Sequence, residues 1–145
     1  MKFDFRLNLA AGAIAFAAAI GIAAEPAPDT LFARLGGKSV ILEITDQLID
    51  AVQQDPVTKR PFAKINAKRF KKNLAEQFCA LTGGPCAFSG DDMKTTHAGL
   101  DITQAEFYGL VQHLRDILDS HHIGAREKNE LLAILAPMKR DVVTK

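Results

Sequence analysis

The chain has no tryptophan and one tyrosine, Tyr108, against nine phenylalanines. Its aromatic content is almost purely apolar, which suits a core or a greasy pocket. Neither sign of charge is in surplus: 18 Lys and Arg stand against 17 Asp and Glu, a net of +1. A nucleic-acid binder normally carries a basic excess, so no nucleic-acid partner is expected. Two cysteines in 145 residues exclude a disulfide-dense mini-protein. With 48% apolar and 24% charged residues, disorder and collagen-like repeats are excluded as well. One domain of ordinary size remains.

Catalytic signatures are also missing. There is no nucleophile elbow, no phosphate-binding glycine loop and no His-Glu-x-x-His. Serine is scarce and no acid–base pair stands out, so a hydrolase has little support. No Cys-x-x-Cys-His motif is present, which argues against covalent c-type haem.

The first residues read as a targeting segment. Lys2 and Arg6 give a positive start, Leu7 to Ala24 is an uncharged apolar run, and Glu25-Pro26-Ala27-Pro28-Asp29 breaks it. That order is the layout of a secretory signal peptide, with Ala23 and Ala24 small enough for cleavage after Ala24. Residues 1–24 are thus expected to be a leader and 25–145 the mature domain, periplasmic or secreted and formally neutral. No membrane attachment is expected after cleavage. The alternative is an uncleaved anchor, since 18 apolar residues sit at the lower edge for a membrane span.

Export bears on Cys79 and Cys86, which frame Ala-Leu-Thr-Gly-Gly-Pro. An oxidising compartment lets two nearby cysteines pair, and Gly83-Gly84-Pro85 makes a turn between them. Two free thiols are the other reading. Six intervening residues suit neither a metal site nor a Cys-x-x-Cys redox pair.

The mature chain shows helical spacing throughout and no sustained period-2 alternation, so an all-α fold is expected. Thr30 to Leu35 predicts a short helix stopped by Gly36-Gly37. Ser39 to Gln54 predicts a long one, with Ile41, Ile44, Leu48 and Val52 on one stripe, ended by Asp55-Pro56. Val57 to Ile65 reads as a connector. Asn66 caps a helix to about Thr82, with Phe70, Leu74, Phe78 and Leu81 apolar and a basic run that reads as a solvated face. Met93 to Ala98 is at most a turn or two. Thr103-Gln104-Ala105-Glu106 is a capping box that opens a helix to about Ser120. A last helix follows Gly124, with Leu131, Leu132, Leu135, Met138 and Val142 inward.

Four histidines are candidates for chemistry. His121 and His122 are adjacent at a helix end, where they suit the dipole and make a poor chelate. His113 sits mid-helix among apolar neighbours as a packed or half-exposed side chain. His97 stands in Met93-Lys94-Thr95-Thr96-His97-Ala98-Gly99-Leu100, a short segment with little core to contribute, and so calls for another reason.

These residues carry a resemblance. Leu31-Phe32-Ala33-Arg34-Leu35-Gly36-Gly37, then Asp55-Pro56 and Phe62, resembles the opening of group I truncated haemoglobins. Thr82-Gly83-Gly84-Pro85 followed by Phe88 to Leu100 resembles that family's second Gly-Gly and proximal-histidine segment. The likeness runs from about Leu31 to Val143. It implies a two-over-two helical sandwich around non-covalent haem b, with His97 as the iron ligand and Phe62 packed on the haem face. It implies pocket walls at Met93, Ile102, Phe107, Val111 and Leu114, and at Phe70, Leu74 and Phe78 on the capped helix. Ordinary core is the alternative role of each. Lys94 is either a haem-propionate partner or solvent-facing.

The match also departs from the family. Ile49 falls where a tyrosine is common, and Phe70 and Leu74 fall at the usual polar distal positions. Thr45 and Gln77 are the nearby side chains that could still reach in, and Lys72 and Asn73 lie near the entrance. The expected function is reversible binding of a diatomic gas (oxygen, nitric oxide or carbon monoxide) by a monomer, with an electron donor that the residues do not name. A haem enzyme, such as a nitric oxide dioxygenase or peroxidase-like protein, and a cofactor-free helical interaction protein are the alternatives.

Overall fold

A computed structural model describes residues 29–145; the expected leader, 1–24, lies outside the described residues. Every regular element among the described residues is helical. α1 is Leu31–Arg34, with the Thr30 hydroxyl accepting from Ala33 N–H at 3.2 Å. Gly36 and Gly37 then adopt positive φ. At Gly36 a Cβ would sit 2.6 Å from Val40 Cγ2, so a side chain meets both steric and conformational cost.

α2, Gly37–Gln54, is the central helix. It buries Ile41, Ile44, Thr45, Leu48, Ile49 and Val52 along one stripe and packs on α4 (Ala67–Leu81) and α6 (Gln104–Ser120). Each fully buried Leu or Ile contributes about 1.5–3 kcal/mol of apolar transfer, so this stripe is the main support of the fold. The caps read from sequence are present. The Asn66 side chain accepts from Arg69 N–H at 3.0 Å, and Thr103 and Glu106 form a reciprocal capping box.

The second Gly-Gly has a tertiary cause. A Cβ on Gly84 would lie 2.5 Å from the Phe32 ring and 2.6 Å from Cys79 Sγ. The turn therefore closes against α1, and Phe32 N–H donates to the Thr82 carbonyl at 2.9 Å. Cys79 and Cys86 are joined as a disulfide across this turn, with Cα atoms 5.8 Å apart.

Two expectations are corrected. The connector 57–65 contains a helical turn, α3, Lys59–Phe62. The final helix is broken: α7 is Ala125–Leu135, a 3-10 turn spans Ala136–Met138, and α8 is Lys139–Val142. Pro137 has no N–H for the ladder, so the helix cannot run through it. Of the residues expected inward here, Leu131 is buried and Leu132, Leu135, Met138 and Val142 are half-buried. Among the described residues, no helix is long and apolar enough to cross a membrane.

Candidate functional site

His97 is the last residue of α5, Met93–His97, a five-residue helix with no buried side chain. The Asp92 carboxylate caps it, accepting from Thr95 N–H at 2.8 Å and from the Thr95 hydroxyl at 3.1 Å. These bonds, Thr95 N–H first, hold the Asp92 carboxyl below its ordinary range. His97 Nδ1 lies 2.7 Å from the Met93 carbonyl oxygen. A carbonyl has no proton to give, so Nδ1 is the donor and carries the hydrogen. The Nε2 lone pair is then available as a ligand and makes no hydrogen bond among the described residues. A bond of this type to the far ring nitrogen is how a ligating histidine is oriented.

The apolar side chains expected at the site are half-buried in two sets. Phe62 from α3 and Phe70 and Leu74 from α4 pack at the rim of the main core, the two rings edge to face with centroids 5.8 Å apart. Met93 from α5 and Phe107 and Val111 from α6 are half-buried and stand outside that cluster. Gln77 links α4 to α5 by donating to Met93 Sδ at 3.5 Å. Phe78 and Leu114, also expected as pocket walls, belong to the core itself. Ile102 is buried between Asp101 and Thr103 at the approach to α6. Two surface grooves, one beside Pro137 and Arg140 and one between α2 and Lys71, do not include His97.

The distal alternatives are resolved by their partners. The Thr45 side chain is fully buried and its hydroxyl donates back to the Ile41 carbonyl at 2.9 Å, so its proton is committed to its own helix. The Gln77 amide is turned toward Met93. Ile49 is fully buried on α2. Lys72 is exposed and pairs with Glu76 at 3.7 Å one turn along α4. Lys94 is exposed on α5.

Two of the other histidines have structural partners that local spacing did not reveal. His113 Nε2 lies 2.7 Å from Asp55 Oδ2, tying α6 to the end of α2. His121, at the C-cap of α6, meets Gln47 on α2 at 3.2 Å. Sequence reading also missed Arg60, which forms a bidentate pair with Glu106 at 2.6 and 2.7 Å. Nothing in the connector marked it out, because Glu106 is 46 residues away.

The family model for bacterial-like globins matches residues 30–144. The group 1 truncated hemoglobin GlbN of Mycolicibacterium paratuberculosis is 30% identical over 121 residues, covering 83% of this chain and 88% of that protein. The chain belongs to the group 1 truncated haemoglobins. The group 1 truncated hemoglobin LI410 of Chlamydomonas moewusii is also 30% identical, over 80% of this chain and 69% of that one. In fold, this truncated haemoglobin is similar to the Fe(III) form of truncated hemoglobin from Tetrahymena pyriformis, with a TM-score of 0.77, 20% identity, and 81% and 100% of the two chains covered. It is similar too to the 2/2 hemoglobin of Synechococcus sp. PCC 7002, solved with covalently attached heme, with a TM-score of 0.75, 20% identity and coverage of 80% and 99%. The fold is the two-over-two helical arrangement.

The residues around His97 fit such a group. The donor set is a single imidazole with its tautomer fixed, the half-buried side chains of Phe62, Phe70, Leu74, Met93, Phe107 and Val111 are apolar, and the described residues contain no acidic or histidine cluster that would hold a bare metal ion.

Proposed function

We propose that this truncated haemoglobin binds haem b through His97 and carries a diatomic gas on an apolar distal side. The observation that carries the reading is the His97 Nδ1 bond to the Met93 carbonyl, which leaves Nε2 as the ligating atom. When bound, haem would supply an iron able to take up oxygen, nitric oxide or carbon monoxide. Phe62, Phe70, Leu74, Phe107 and Val111 offer apolar surface to the ring, and Met93 lies one turn before the ligand on α5. Both cysteines are bonded to one another, so no thiol is free for covalent attachment, which supports the b type.

Ile49, Phe70 and Leu74 have no hydrogen-bond donor, and the Thr45 hydroxyl is committed. That favours gas binding over rapid dioxygenation, because the latter draws on a donor that stabilises developing negative charge. We propose further that the chain works in the periplasm or outside the cell once residues 1–24 are removed. The Cys79–Cys86 bond supports this, since cytosolic reductants keep such pairs open.

The test is the absorption spectrum and haem retention of reconstituted protein beside its His97→Ala variant. Loss of the parent's Soret position and faster haem release in the variant are expected. An unchanged band with unchanged retention rejects His97 as the ligand.

A further inference from the structure

Between His97 and α6 the backbone makes a tight passage. Gly99 and Asp101 both have positive φ, +73° and +52°, on either side of Leu100. Asp101 is not glycine, so its left-handed conformation costs free energy and needs support from outside the loop. Burial in α5 does not supply it, because no side chain of that helix is buried.

Arg60 does. Its Nη1 donates to the Leu100 carbonyl at 3.0 Å and its Nη2 to the Asp101 carbonyl at 2.9 Å. The same guanidinium grips Glu106 through Nε at 2.6 Å and Nη2 at 2.7 Å. Glu106 is 8% exposed, and its Oε2 also accepts from Thr103 N–H at 2.8 Å and the Thr103 hydroxyl at 2.9 Å. One side chain thus holds the loop after His97, the start of α6 and, through its own backbone, α3. Phe62 stands two residues further along that same turn.

We infer that Arg60 is a positioning residue, a latch that sets α3 and Phe62 in register with the loop that directly follows His97. The inference rests on the haem reading above, since its consequence is where His97 stands relative to the ring. Glu106, held by Arg60 and then by Thr103, has its carboxyl lowered to about 2, so the latch stays charged at any working pH. The backbone amides of Thr144 and Lys145 also donate to the Ile102 carbonyl, at 3.0 and 3.1 Å, but they approach from the C-terminal side. Among the described residues Arg60 makes the hydrogen bonds between α3 and this loop. Lysine is no substitute: a planar fork with five donors can serve four acceptors at once, and an ammonium point charge cannot.

The experiment uses haem-loaded full chain as parent, Arg60→Gln, Arg60→Lys, Glu106→Gln and His97→Ala. Resonance Raman of the ferrous, ligand-free protein reads the iron–histidine stretching band. Haem transfer to excess apo-acceptor globin reads release, and urea unfolding reads overall stability. Arg60→Gln should shift and broaden the band and speed haem release about tenfold. Arg60→Lys should fall between it and the parent. Glu106→Gln should move the band in the same direction by less. If Arg60→Gln does not fold, the ordering of parent, Arg60→Lys and Glu106→Gln decides for or against the latch in its place. Parent-like band and release rate in the Arg60 variants, or a lowered urea midpoint with the band unmoved, overturns the latch. A parent with no iron–histidine band, or one that His97→Ala leaves intact, overturns the haem reading instead.

Discussion

α4 and α5 meet through Gln77 and Met93 yet owe their positions to different forces. α4 has 15 residues and buries Ala75, Phe78 and Cys79 against α2, so apolar burial holds it. α5 has five residues and buries none. A helix that short is not stable by itself, since nucleation costs more than one turn returns. Asp92 caps it, the Met93 carbonyl orients His97, and Arg60 secures the loop beyond. The residue with the most chemistry therefore stands on an element with little stability of its own. Polar bonds with defined directions fix an imidazole more narrowly than apolar contact, which has no direction.

That contrast can be broken from either side. Phe78→Ala removes a core ring from α4 and should cost about 3–5 kcal/mol of global stability, read by urea unfolding. A loss below about 1 kcal/mol would mean that α4 is not held by burial.

Ile49→Tyr puts a hydroxyl on the apolar side, where a hydrogen bond to a partly charged acceptor is worth about 1.5–3 kcal/mol. Oxygen dissociation should slow by roughly ten- to a hundredfold, with carbon monoxide release nearly unchanged. Flash photolysis and stopped flow give both rates. An oxygen off-rate equal to the parent's would show that Ile49 does not face the gas.

Asp92→Ala removes the cap of α5 alone. Amide exchange within residues 93–97 should rise about five- to tenfold while the global unfolding midpoint holds. A matching drop in the midpoint would show that α5 is coupled to the core.

The smallest effect is in pH. Glu106 is lowered from 4.5 to about 2 by Arg60 first, then by Thr103. A depressed carboxylate stabilises the fold above its unfolded value and loses that contribution as pH falls through the folded one. The stability difference between parent and Glu106→Gln should therefore be constant above about 4.5 and shrink between there and about 2. A difference that grows on acidification contradicts the pairing.

Much of the fold was legible because its causes are local. The α2 stripe, the Asn66 cap and the Thr103–Glu106 box each lie within a few residues, where side-chain type and spacing decide the outcome. α3 escaped notice because four residues carry no periodicity and Thr58 gives it no side-chain cap. Its supports are distant: Arg60 on Glu106, and Gln53 donating to the Phe62 carbonyl at 3.2 Å. Pro137 was a readable stop that the apolar spacing on both sides masked.

At the site, His97 stood out by its segment, but its tautomer did not, because that depends on where the Met93 carbonyl lies one turn back. The apolar character of Ile49, Phe70 and Leu74 was written in residue type alone. Whether Thr45 or Gln77 could replace the missing donor was not, since a hydroxyl or amide goes to whichever acceptor the packed chain brings nearest. For Thr45 that is the Ile41 carbonyl, and for Gln77 it is Met93 Sδ. The Arg60–Glu106 and His113–Asp55 pairs, 46 and 58 residues apart, exist only once α3 and the end of α2 have packed beside α6. Residue order determined which helices form and which side chains have chemistry to offer. Tertiary structure decided which donors remain uncommitted, because a hydrogen bond depends on distance in space and not along the chain.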